Sequence, residues 1–249
     1  MIWKLLQIVA IWYLVKYFIG KFFFSVKRPP RKYGSNSDFA HRQELEMQFL
    51  RYMFCMMAKL AKADGRINES EVRTAERVFS TFSFAAKRRS FCSRVFNEAK
   101  DNARSIFWYA DQFASIVKDR STRLFMYDML WDVACADGSL HPEEKRMLRE
   151  LCRFLRIPAS CFHENYARRF SSFDEDTVRR GPSDPYSVLG CSKSDSDKVV
   201  KAAYRAAALK YHPDRLRQNG VPEEMIATAT SRMAEINAAW DAIRKLRGI

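Results

Sequence analysis

Residues 198–214 read K-V-V-K-A-A-Y-R-A-A-A-L-K-Y-H-P-D, and this stretch decides the fold of the carboxy-terminal quarter. Val200, Tyr204, Ala207 and Tyr211 recur at i, i+4, i+7 and i+11, which predicts one apolar face of a helix from about Ser196 to Tyr211. Lys198, Lys201 and Arg205, at i, i+3 and i+7, make a basic stripe on another face. Pro213 lacks an amide proton and restricts the residue before it, so the helix is expected to end there and turn the chain outward as a loop. Upstream, Asp184-Pro185-Tyr186-Ser187-Val188-Leu189-Gly190 carries an acceptor at the cap, proline at the first position and glycine at the stop. Downstream, a helix starting at Pro222-Glu223-Glu224 keeps Met233, Ile236, Trp240 and Ile243 on one side. A short helix and two long ones around a His-Pro-Asp loop predict an antiparallel helical hairpin over 184–249.

Working toward the amino terminus, residues 171–183 form a polar linker, and residues 39–170 show helical periodicity with little β alternation. Phe49, Met53, Met56, Met57 and Leu60 form one stripe. Leu124, Tyr127, Leu130, Trp131 and Ala134 form a second, and Met147, Leu148, Leu151 and Leu155 a third. Stripes of this width are the core-facing sides of helices. Two segments, from Ala61 and from Ala134, share the pattern A-x-A-D-G-x-[I/L]-x-x-x-E. Gly65 and Gly138 suit the left-handed end of a helix, while Asn68 with Glu71 and His141 with Glu144 have capping-box spacing. Asp64 and Asp137 invite comparison with a calcium loop. Each loop, however, offers too few oxygens for an ion that takes ~6–8, so capping is the expected role and no metal or other cofactor is predicted.

Residues 1–26 contain a run from Leu5 to Phe24 that at 1.5 Å per residue suffices for the ~30 Å hydrocarbon core of a bilayer. The run is followed by Lys27, Arg28, Arg31 and Lys32 within a linker, 27–38. This pattern predicts a single transmembrane anchor with Met1–Lys4 outside and the remainder cytoplasmic. A helix lying in the interface plane, or a buried core helix, is the alternative, because Lys16 sits deep in the run. The net charge of +14 is consistent with a membrane partner: seven of the 43 basic residues and none of the 29 acidic ones fall within residues 1–37. No basic patch interleaved with aromatics and no reading motif points to nucleic acid. The six cysteines show neither a C-x-x-C pair nor zinc spacing, which suits a reducing compartment.

Two resemblances follow from these motifs. The repeated Ala-Asp-Gly element resembles the TerB-like (tellurite-resistance) all-helical domain, over about residues 39–168. D-P-Y-S-V-L-G, then K-x-A-Y-R before K-Y-H-P-D-R, then M-A-E-I-N-A-A-W-D-A-I, resembles the J domain. The order of anchor, TerB-like domain and terminal J domain is similar to that of a family of bacterial membrane-anchored co-chaperones. The resemblance implies an inner-membrane protein that is not itself an enzyme and that stimulates ATP hydrolysis by a DnaK-type heat-shock chaperone. His212, Pro213 and Asp214 would be the activating loop, and Lys198, Lys201 and Arg205 the face that docks on the chaperone. General-acid chemistry at His212 is not expected, since no nucleophile or orienting carboxylate accompanies it. The TerB-like domain would bind a client or partner or act as a sensing module, with a second copy of the chain as a further candidate partner. The rival reading is a membrane-tethered scaffold that works through the TerB-like domain and whose J domain is idle. The intact His-Pro-Asp argues against it.

Overall fold

The computed structural model describes residues 36–63, 84, 86–135, 139–170 and 184–249. The predicted anchor at 1–26, the repeat residues Asp64, Gly65, Asn68 and Glu71, and Asp137 with Gly138 all lie outside them. The described residues are all-helical, in agreement with the periodicity, and contain no strand. Among them no helix is long and apolar enough to cross a membrane.

Among the described residues, six helices build the first part: α1 (Asn36–Ala61), α2 (Ala86–Asp101), α3 (Ile106–Ile116), α4 (Arg120–Ala134), α5 (Pro142–Phe154) and α6 (Ser160–Phe170). The three stripes read from the sequence face its interior, with Leu124 and Met147 half-buried at its edge. Met53, Met56, Met57, Tyr127, Leu130, Trp131, Leu148, Leu151 and Leu155 are fully buried. Local chemistry sets the helix starts. Ser105 accepts the Trp108 amide at 3.2 Å to cap α3, and Asp119 accepts the Thr122 amide at 2.8 Å to cap α4. At the second repeat, Pro142 occupies the first position of α5, and the Glu144 carboxylate accepts the His141 amide at 3.0 Å. The predicted capping role for this pair is thus what the structure contains.

Four helices complete the chain: α7 (Pro185–Leu189), α8 (Asp197–Lys210), α9 (Pro213–Gln218) and α10 (Glu223–Arg247). Asp184 caps α7 and Gly190 ends it in the left-handed region at φ 71°, as the motif predicts. α8 and α10 pair along Tyr204 and Trp240, whose rings stack with centroids 4.7 Å apart, and the Tyr204 hydroxyl donates to Asn237 at 3.2 Å. Arg247 closes the open end of the hairpin. Its guanidinium donates to the Tyr186 hydroxyl, the Asp197 carboxylate and the Asp195 carbonyl, each at 2.8 Å.

Two features differ from the expectation. Pro213 does not simply release the chain into a loop: His212 is the cap of a further helix and Pro213 its first residue, a position where a missing amide proton is harmless. Tyr211, read as part of the hairpin's apolar face, instead turns onto α4, where its ring meets Phe125 edge-on at 6.3 Å.

Candidate functional site

The candidate site lies where α8 ends and α9 begins. His212 adopts an extended backbone (φ −64°, ψ 115°) between the two helices, and its carbonyl accepts the Leu216 amide at 3.1 Å to open α9. His212 and Asp214 are exposed and Pro213 is half-buried. The Asp214 carboxylate accepts from Arg217 at 2.8 Å, yet its side chain remains 73% exposed. Arg217 also donates to Glu223 at 2.9 and 3.1 Å, tying α9 to the start of α10. Hydrogen bonding to Glu223 is the main cause of its raised pKa, so it is a fixed cation beside Asp214. The carboxylate is therefore oriented but open to exchange with another guanidinium. Lys198, Lys201 and Arg205 are all exposed on α8, as their spacing predicts. The structure thus brings all six predicted site residues onto one hairpin, with the tripeptide at the end of the helix that carries the stripe.

Residues that the sequence reading missed lie directly around the tripeptide. Lys210 Nζ is 2.5 Å from a carboxylate oxygen of Asp128 on α4, and the Tyr211 hydroxyl donates to the same oxygen. Arg168 on α6 approaches the other oxygen at 3.5 Å. Asp128 is 1% exposed. Burial pushes its carboxyl up, but Lys210 and Arg168 more than offset this and hold it well below the usual carboxylate range. Arg215, just past the tripeptide, donates from Nε at 2.8 Å and from Nη2 at 2.5 Å to one oxygen of Asp119. The other Asp119 oxygen caps α4. Burial opposes ionisation there too, and Arg215 and Thr122 again hold the carboxyl low.

These two halves coincide with two matched families. A tellurite resistance protein TerB model matches residues 51–167, and a DnaJ domain model matches residues 184–246. The chain thus carries a TerB domain followed by a C-terminal DnaJ domain. Over most of its length it is similar to proteins named co-chaperone protein DjlA. The relative from Photobacterium profundum is 28% identical over 234 residues, covering 86% of this chain and 83% of the relative. That from Coxiella burnetii is 28% identical over 250 residues, with 95% and 92% covered, and that from Escherichia coli K12 is 26% identical over 226 residues, with 84% and 83% covered. No solved structure matches the chain.

Proposed function

We propose that this protein is a co-chaperone whose J domain stimulates ATP hydrolysis by a DnaK-type heat-shock chaperone. The observation that carries the reading is the juxtaposition on one hairpin of an exposed His212-Pro213-Asp214 and the exposed stripe Lys198, Lys201 and Arg205. The stripe supplies cations that steer and register an acidic partner surface. Pro213 fixes the backbone beside Asp214, whose carboxylate then competes for an arginine on the chaperone. The names of the DjlA relatives support the same reading. A scaffold with an idle J domain accounts less well for a tripeptide that is intact and exposed.

The finer parts of the reading rest on the sequence. Residues 1–26 are assigned as a single inner-membrane anchor that leaves the rest of the chain cytoplasmic, and 27–38 as its basic linker. Residues 39–170 are assigned as the TerB-like module that receives a client or partner, and 171–183 as the tether to the J domain, 184–249. Single-turnover ATP hydrolysis by a DnaK-type chaperone, with the full chain added, tests the central claim. His212→Gln and Asp214→Asn are each expected to abolish stimulation while circular dichroism stays unchanged. A fully active variant of either kind refutes the assignment.

A further inference from the structure

The end of the J domain that carries the tripeptide is also where that domain is fastened to the TerB domain. Among the described residues the joint includes three polar clusters. Lys210 and Tyr211 meet Asp128, and Arg215 grips Asp119. At the third, Arg88 on α2 binds Glu46 of α1 and, at 2.7 Å, Glu224 at the start of α10. Beside that third contact Gly220 lies against Leu45 so closely that a Cβ would sit 2.5 Å from the Leu45 Cβ. Its φ of 81° excludes an ordinary side chain as well.

We propose that the face of the TerB domain formed by Asp119, Asp128 and the Arg88 pair is a dedicated dock for the chain's own J domain. It clasps that domain from the side away from the basic stripe, so the tripeptide stays open while its orientation is fixed. The occupant follows from charge and burial. An acid at the 1% exposure of Asp128 is costly unless paired, and among the described residues the TerB domain itself offers only Arg168 at 3.5 Å. The short partner, Lys210 at 2.5 Å, comes from the J domain. Direction follows from helix geometry. At about 100° per residue, Lys210 lies roughly 120–180° around α8 from Lys198, Lys201 and Arg205, so the dock and a partner on the stripe use different faces. His212 and Asp214 remain exposed while Tyr211 on one flank is buried.

Carboxyl footprinting of the full chain with a water-soluble carbodiimide and an amine tests the dock, with exposed Asp241 as internal reference. In the wild-type chain Asp128 is expected to label at least tenfold more slowly than Asp241. Two variants loosen the joint from different elements. Lys210→Met keeps the aliphatic stem and removes the charge, and Gly220→Ala places a methyl group against Leu45. Each is expected to raise labelling of Asp128 at least tenfold. Protection of Asp128 unchanged in both variants, or absent in the wild type, overturns the proposal. These arms contain no chaperone and stand apart from the proposed function. In a further arm, a DnaK-type chaperone with ATP is expected to leave Asp128 protected. A rise on its addition shows that chaperone and dock compete, which overturns the claim that they use separate faces.

Discussion

Asp128→Asn is the sharpest perturbation of the fold, because an isosteric neutral group replaces a carboxylate that holds two cations. The side chain of Asp128 is 2% exposed and that of Lys210 16%, so solvent screens their pairing little, whereas Arg168 at 33% can turn to water. Removing one member of a buried pair costs about 3–5 kcal/mol, chiefly by stranding the other charge. With Arg168 partly solvated, the lower end, about 3 kcal/mol, is expected. For a chain of this size that lowers Tm by roughly 6–12 °C, read by circular dichroism at 222 nm. Lys210→Met strands the opposite charge and is expected to cost a similar amount. The double variant should fall no more than about 1 kcal/mol below the worse single one, because both remove the same interaction. pH gives an independent check. The Asp128 carboxyl is held below its unfolded value of ~3.9, so its contribution is complete above about pH 4 and is lost as pH falls toward the folded value. Burial acts to lower the Lys210 pKa, but Asp128 more than reverses this and raises it. Its share is therefore complete below ~10.4 and lost as pH rises beyond that. The Tm gap between wild type and Asp128→Asn is expected to be constant from pH 5 to 9 and to narrow below pH 4. A penalty under about 1 kcal/mol, additive singles, or a gap that varies around neutrality refutes the reasoning.

Stimulation of the chaperone is expected to weaken with salt, since the stripe is exposed and its field is screened over ~8 Å at physiological ionic strength. Lys201→Glu should slow association about tenfold with little effect on dissociation, measured by stopped-flow binding, and insensitivity to both changes removes the stripe from the docking face. The full chain is expected to remain with membranes through alkaline carbonate, with the J domain inaccessible to protease outside spheroplasts. Release by carbonate, or cleavage of the J domain from outside, overturns the anchor or its orientation.

The legible parts of this protein were those governed by local rules. The caps at Asp184 and Gly190, the pair His141–Glu144 and the stripe Met53–Met56–Met57–Leu60 each depend on residues within a few positions of one another, and sequence spacing reports such relations directly. The same holds for His212, Pro213 and Asp214, which are contiguous, and for the stripe on α8. The dock was not legible, because its pairs join residues 83 and 96 positions apart and nothing in either local pattern names the other. One signal existed. Asp128 interrupts Phe125-Met126-Tyr127 and Met129-Leu130-Trp131, six residues that are all buried, and an acid in such a setting requires a cation from elsewhere in the chain. Tyr211 misled for a related reason: periodicity shows that a side chain is buried but not against which neighbour.

The break in the helix at His212 is what allows six consecutive residues, Lys210 to Arg215, to serve two surfaces. In an unbroken helix residues 210 and 214 would be i, i+4 neighbours on one face. Lys210 would then carry Asp214 with it toward the TerB domain, where Asp119 and Asp128 already concentrate negative charge. Instead the extended backbone of His212 and the proline-started α9 reset the direction. Lys210 and Tyr211 turn inward onto Asp128, while His212 and Asp214 face solvent. Arg215 comes round to Asp119, so the exposed pair is held on both sides by residues anchored in the TerB domain. Pro213 therefore does more than stiffen the tripeptide. By separating two helical registers, it lets the attachment of the J domain and the presentation of its His-Pro-Asp reside in the same short segment without competing for one face.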